Sequence, residues 1–522
     1  MFIRRMTCLT ALVLLVPGFV AAGQDLFKKG FEALNQKDYD LAISCFTRVI
    51  RGDATKVDAY FNRAIAYIAK KEYDKGIADY TMVVKLNPKD EEAFYNRGLA
   101  YDTRKEFAKA IADFNAALKL KPKAVTYYGR GHSYYELKNF DKAIADYNEA
   151  LRLKPNYDSA LYNRGLAYEG KKDFDKAIAD YDAAIEISPR DDVLYARGHA
   201  YYAKKEYRKV IADMNEAIRL NPKLDNAFYQ RGLAHAALKD ETAALADYNE
   251  AIKLMPKADA LTARGLIFYN KKDYDRAMID YNQALKLDPK NDNAYYNRAL
   301  IHDAKKDFAR SVADYTAALK IRPKEDAYYG RGLAYYDLKQ FDKALDDYTA
   351  SIKIKPRADA LTGRGLIYFE RKDYDQAMAD YNASLKLDPK YPVAYYNRGN
   401  IYLLRKNYPG AIKDYERAVE LDPKHHLSHS ALAWIWATCP KEELRNGKKA
   451  VEYGKKAVAL TKMNDPLCLA DLAAAYAEVG NFEEAVRLQR RALEFASYEK
   501  LYGEAGRSQL KLYEDRKPFR EN

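Results

Sequence analysis

Eleven prolines recur at Pro88, Pro122, Pro155, Pro189, Pro222, Pro256, Pro289, Pro323, Pro356, Pro389 and Pro423, always 33 or 34 residues apart. A period of this length specifies a repeat protein, whose units cannot bury their apolar faces alone and must stack. It also limits function. A chain of 522 residues spent almost wholly on one repeated unit leaves little room for an active site, and no catalytic residue is expected.

The segments beginning at Ala93, Ala160, Ala227 and Ala294 read AFYNRGLAYDTRKEFAKAIADFNAALKLKP, ALYNRGLAYEGKKDFDKAIADYDAAIEISP, AFYQRGLAHAALKDETAALADYNEAIKLMP and AYYNRALIHDAKKDFARSVADYTAALKIRP. Each holds two stretches with apolar residues at three- and four-residue spacing, joined by a polar turn, which is a helical hairpin. Asp74, Asp141, Asp175 and Asp275 open second helices and are expected to cap them; Pro409 takes that place in the last full copy. The recurring prolines stop the second helix because they cannot donate to it. Glycines at 98, 131, 165, 198, 232, 265, 332, 365 and 399 are followed twelve residues later by small partners such as Ala110, Ala143 and Ala177. Close approach of two backbones at that pair is the expectation.

This hairpin of 34 residues, with its aromatic start and ordered Gly, Tyr, Ala, Tyr/Phe, Ala and Pro, resembles the tetratricopeptide repeat. The resemblance covers about residues 25–498 in roughly fourteen copies. It implies an all-α, right-handed superhelical solenoid of helix-turn-helix repeats, with a concave groove lined by the first helices. It also implies binding of peptides or protein partners without catalysis or a cofactor.

The residue before the glycine departs from the family's usual leucine. Arginine stands there in eleven consecutive copies: 63, 97, 130, 164, 197, 231, 264, 298, 331, 364 and 398. An aspartate follows sixteen residues after each, giving pairs such as Arg97–Asp113, Arg164–Asp180 and Arg298–Asp314. A charge at a semi-buried helical position needs a partner, so internal ion pairs are expected. The competing reading is an arginine row facing an anionic ligand, whose field the paired aspartates would cancel.

In the geometry that the resemblance implies, the positions two and three before the glycine and one after it line the concave face. They include Tyr95, Asn96, Leu99, Tyr128, His132, Tyr162, Asn163, Leu166, Tyr195, His199, Tyr229, Tyr296, Asn297, Leu300, Tyr396 and Asn397. Tyrosine offers large contact area at low entropic cost, and asparagine can hold an extended backbone. Packing between repeats is the alternative role for the same tyrosines. A concave asparagine ladder occurs in the repeats of O-linked N-acetylglucosamine transferases; here Gly129, Ala196, Ala263, Gly330 and Gly363 interrupt it.

Lysine recurs in the turn inside each hairpin, at 71, 105, 138, 172, 205, 239, 272, 306, 339, 372 and 406. Such a ridge could attract anionic polymers or lipid headgroups. The simpler reading is complementation of the first helix's C-terminal dipole, and it is favoured. No nucleic-acid partner is expected. His425, His426 and His429 cluster without a further ligand of matching spacing, so no metal site is expected and solvation is their default.

At the N-terminus, Arg4 and Arg5, the apolar run Ala11–Ala22 and the small residues at 21–23 read as a secretory signal over 1–22. The expectation is a periplasmic or secreted bacterial protein, with an uncleaved anchor as the alternative. Removing the signal lowers the formal charge from +13 to +11. Cys45, Cys439 and Cys468 are too sparse for a disulfide framework and read as free thiols.

The regular array is expected over 25–427, two divergent repeats over 428–498 and a polar capping helix over 499–522. Leu432 and Leu472 take the arginine slot in the divergent copies. With SHSALAWIWATCP and the final KPFRE, this ending resembles that of secreted tetratricopeptide proteins from planctomycete-type bacteria. Trp434 and Trp436 read as local core or as an anchor for a partner. Residues 258–290 and 358–390 match at 24 of 33 positions, so blocks of repeats are duplicated and a unique chemical site is not expected within them.

Overall fold

The structure, a computed structural model, describes residues 17–521, with side chains from residue 24. The expected signal over 1–22 therefore lies outside the residues whose side chains are described. The described residues form 29 α-helices and one short 3-10 turn, Glu442–Leu444, with no strand. The all-α solenoid expected from the period is what they build.

Two compact units divide the chain, Met1–Pro256 and Lys257–Asn522. In the first, helices from Pro17–Asn35 to Glu241–Leu254 pair as hairpins, each stacked on the next. In the second, hairpins from Ala258–Asn270 to Phe482–Leu493 stack likewise, and a further helix, Ala496–Glu514, closes the series. This division falls within the regular stretch 25–427. The closing helix begins at Ala496 and stops at Glu514, and the last described residues fold back beyond it.

A first helix spans 13 residues, as in Glu91–Thr103, and a second spans 14, as in Phe107–Leu120. The turn between them has a defined chemistry. Lys105 N–H donates to the Asp102 carbonyl at 2.8 Å and Glu106 N–H to the Tyr101 carbonyl at 2.9 Å. These paired bonds are the Schellman arrangement, which requires a left-handed residue after the cap. Lys105 supplies it with φ 62°, and lysine does so in twelve turns from Lys37 to Lys406. Among the described residues, only the turn after Pro466–Glu478 uses glycine, Gly480 with φ 80°. The recurring proline stands one residue past the other cap; Pro122, for example, follows Leu120 and Lys121.

Two local expectations change. The caps of second helices are Asn139, Asp173 and Asp273, whose side chains accept from the amides of Lys142, Lys176 and Arg276. Asp141, Asp175 and Asp275 stand two residues later, inside the first turn. There, with Asp74, their carboxylates meet Lys171, Lys204, Lys305 and Arg104 of the following hairpin. The space beside these glycines is taken by the side chain sixteen residues on, an aromatic ring in eight of the nine and Met214 beside Gly198, rather than by the alanine twelve on. A Cβ on Gly98 would lie 2.9 Å from the Phe114 ring, and one on Gly165 2.5 Å from the Tyr181 ring. Phe114, Tyr147 and Tyr181 are fully buried, and Ala110, Ala143 and Ala177 complete the interior beside them.

Candidate interaction surface

The eleven arginines that precede the glycine position all meet their aspartates through two parallel bonds. In Arg97–Asp113 both are 2.7 Å; in Arg164–Asp180 they are 2.8 and 2.5 Å; in Arg298–Asp314 both are 2.7 Å. The aspartates are buried and the arginines mostly so. Burial pushes the Asp180 carboxyl up against the pull of its arginine. Such pairs consume the cations, which leaves no arginine row for an anionic ligand.

A third bond ties hairpin to hairpin. The remaining guanidinium nitrogen reaches a polar side chain on the preceding second helix: Thr81 for Arg97 at 3.0 Å, Asn148 for Arg164 at 2.7 Å, Asn282 for Arg298 at 2.6 Å. The sequence carried a signal for it, since Thr, Asn or Asp follows the buried second-helix aromatic or its neighbour in successive copies. A second overlooked group is the basic residue directly after the recurring proline. Arg190 spans Asp158 at 3.1 Å and Asp192 at 2.5 Å and lies over the Tyr162 ring, 5.4 Å from its centroid. Arg357 does the same with Asp326, Asp359 and the Tyr329 ring.

The tyrosines proposed for the concave face are half-buried, and most lean on the buried aromatic of their own second helix. Centroid distances are 6.0 Å for Tyr95–Phe114, Tyr128–Tyr147, Tyr162–Tyr181 and Tyr229–Tyr248. They are 5.7 Å for Tyr296–Tyr315 and 5.9 Å for Tyr396–Tyr415. Tyr195 packs beside Met214 and Val210. One ring face therefore serves packing. The asparagine amides are engaged within the protein: Asn96 donates to the Glu92 carbonyl of its own helix at 2.8 Å, Asn163 to the Ser159 carbonyl and the Tyr128 hydroxyl, both at 2.9 Å. Asn397 is buried and Asn297 half-buried.

Leucine after the glycine remains accessible. Leu99, Leu166 and Leu300 are half-buried, while Leu266 and Leu333 are 41% and 40% exposed. Where histidine takes that position, it reaches a carboxylate of the preceding first helix. His132 Nδ1 lies 3.0 Å from Asp102 and His199 Nδ1 2.7 Å from Glu169, which also accepts from the Tyr181 hydroxyl at 2.8 Å. These carboxylates raise both histidines above the ordinary range.

Near the C-terminus two of the three clustered histidines are structural, while His426 keeps 39% of its side chain in solvent. His425 caps His426–Thr438 by accepting from Ser428 N–H, and its ring packs on Tyr396 at 5.2 Å. His429 is buried, with Nε2 3.0 Å from the Pro423 carbonyl. Among the described residues no group of three or more metal-ligating side chains converges. Nor is any described helix long and apolar enough to cross a membrane. Cys45, Cys439 and Cys468 are buried free thiols. Trp436 is core, with its ring 5.0 Å from Tyr453, and Leu432 and Leu472 are buried in the arginine slot. Trp434 is half-buried and carries the Phe519 ring.

Family models described as tetratricopeptide repeat or TPR repeat match residues 57–90, 91–123, 128–192, 192–224, 225–257, 265–306, 292–325, 325–357, 365–405, 392–425 and 467–506. No curated protein matches the chain. Among solved structures, a chain of the APC/C hetero-tetramer Cut9–Hcn1 aligns with 87% of this chain and 96% of its own length, at 17% identity and TM-score 0.41. YrrB, a TPR protein with an unusual peptide-binding site, aligns with 35% of this chain and 95% of its own at 23% identity and TM-score 0.32. Yeast Tom70 aligns with 82% and 98%, at 18% identity and TM-score 0.30.

Proposed function

The chain belongs to the tetratricopeptide-repeat family, and on that premise we propose that it is a non-enzymatic scaffold that captures peptides or protein partners on the faces of its first helices. The observation that carries this reading is the repeated accessible position after the glycine, where Leu266 and Leu333 expose about two-fifths of their surface beside half-buried tyrosines. Leucines recurring at this position, interrupted by His132, His199 and Asn400, offer apolar contact area in register with an extended chain. Because the arginines are bound to their aspartates, recognition falls to aromatic and aliphatic contacts. Photo-crosslinking of the full chain in an envelope fraction tests the proposal. Protein recovered by wild type and lost by a folded L266E/L333E variant supports it; recovery of glycan or lipid alone sinks it.

A second reading assigns the turn lysines to an anionic envelope polymer or lipid surface. It is favoured by one observation: lysine holds the left-handed position in twelve turns, where glycine is the residue without steric cost. Salt separates the two, since ridge binding collapses as ions screen it and capture by tyrosine and leucine largely persists.

Export is part of the proposal and rests on the basic, apolar and small-residue order of residues 4–23. A reporter fused after residue 40 should appear outside the cytoplasm; retention inside would refute export, and membrane retention would favour the anchor.

A further inference from the structure

The segment after Ala496–Glu514 does not trail away. It turns at Arg516, φ 58°, and Lys517–Glu521 returns across the C-terminal ends of two first helices, Pro466–Glu478 and His426–Thr438. Phe519 lies on the Trp434 ring with centroids 5.6 Å apart. Arg520 meets the Glu478 carboxylate at 2.6 Å and donates to the Ala437 carbonyl at 3.2 Å. The Glu521 amide donates to the Thr438 carbonyl at 2.9 Å.

The seat is built without the tail. Arg445 holds Glu478 from its other side at 3.2 Å and is itself fixed to the Cys439 carbonyl at 3.1 Å. The Ala437 and Thr438 carbonyls belong to the last turn of a helix, where acceptors lack intrahelical partners and the dipole is negative. Together with Glu478 they form a corner that accepts a guanidinium. Trp434 occupies the register position that leucine fills at 99, 166 and 300, one after the glycine slot, so the seat uses the same face position as the repeats.

The tail fits this seat imperfectly. Phe519, Arg520 and Glu521 each keep part of their surface in solvent. The Glu521 carboxylate hydrogen-bonds with Trp434, but one of its oxygens is buried with no hydrogen-bond partner, a desolvation cost that an occupant without a carboxylate there would escape.

We propose that this corner is a peptide-binding subsite for an extended segment carrying an aromatic side chain followed by arginine, and that the chain's own tail occupies it until such a segment displaces it. The proposal rests on the scaffold reading for its purpose, but the seat uses none of the leucine side chains on which that reading is tested.

A labelled peptide, Lys-Pro-Phe-Arg-Glu-Asn, is titrated against the full chain and against F519A/R520A. The tethered wild-type tail competes at high effective concentration, so the variant is expected to bind at least tenfold more tightly. Adding E478K to the variant should abolish that binding while helicity stays unchanged. A folded F519A/R520A chain that binds no better than wild type overturns the proposal. So does global loss of helicity in that variant, which would make the tail part of the fold. Hydrogen exchange on wild type supplies a readout without mutation: amides of 519–521 should exchange many-fold faster than those within Ala496–Glu514, and equal protection overturns the idea. Concentration-dependent dimers of wild type that vanish in F519A/R520A would assign the seat to a second copy and also overturn it. If crosslinking at Leu266 and Leu333 fails while this titration succeeds, the scaffold reading alone falls.

Discussion

Arg164 grips Asp180 through two parallel bonds, Nε to Oδ2 at 2.8 Å and Nη2 to Oδ1 at 2.5 Å, while Nη1 reaches Asn148 of the preceding hairpin at 2.7 Å. One guanidinium thus joins three helices. Removing it strands a buried carboxylate, which costs far more than removing both charges together. Arg164→Ala is expected to destabilise by about 3–5 kcal/mol, and Asp180→Ala added to it should recover part of the loss. A double-mutant cycle by urea denaturation measures the coupling, and strictly additive losses would refute a shared interaction.

The glycine positions make a sharper test of packing than of helix propensity. Gly165→Ala places a methyl group 2.5 Å from the fully buried Tyr181 ring, and overpacking of this kind costs about 1–3 kcal/mol. Gly52→Ala meets nothing within 4 Å and should be neutral or slightly stabilising through helix propensity. Equal melting shifts for the two variants would contradict this account.

Lys239 holds φ 65° in a turn where a side chain is strained and glycine is not. Lys239→Gly is therefore expected to raise stability by roughly 0.5–1 kcal/mol, against the usual cost of glycine elsewhere. Chemical denaturation checks it, and a loss of stability would show that the lysine side chain contributes contacts beyond its backbone geometry.

Asp471 lies near Tyr396, Tyr498 and Tyr513 and accepts from the Ser430 hydroxyl at 2.6 Å. Burial, with Asp465 nearby, pushes its carboxyl up to about 7, above the value of about 4 for a free aspartate. The folded chain then holds a proton that the unfolded chain releases, so this contribution is full below about pH 4 and is lost as pH rises to about 7. Asp471→Asn should flatten that decline in melting temperature and be the more stable form at about pH 8. An unchanged slope would exclude Asp471 as its source.

How much of this was readable before the structure depended on whether a feature repeats. The period specified the hairpins, and the constant sixteen-residue spacing identified the Arg–Asp partners because both charges recur together in eleven consecutive copies. Spacing alone did not tell a cap from the second residue of a helix: Asp173 and Asp175 are both acidic and two apart, and only backbone geometry assigns the cap to Asp173. It also did not say which neighbour fills the space beside a glycine, since Ala177 and Tyr181 both face inward. The left-handed lysines were visible as a row, but their backbone conformation was not, because lysine is an uncommon choice for it. Nothing periodic announced the seat for Phe519 and Arg520, which brings together residues about 40 to 80 apart with no counterpart in other copies.

The arginine bonds that cross from one hairpin to the one before it also set an elastic property. Within each compact unit, flexing one hairpin against its neighbour must stretch a guanidinium bond to Asn, Thr or Asp, once per junction. The arginines expose only 14% to 22% of their side chains, so dissolved ions screen this spring weakly. Inside each unit such a stack should stay stiff in brine as in dilute buffer, and the second unit should soften beyond Arg398, where the springs are absent.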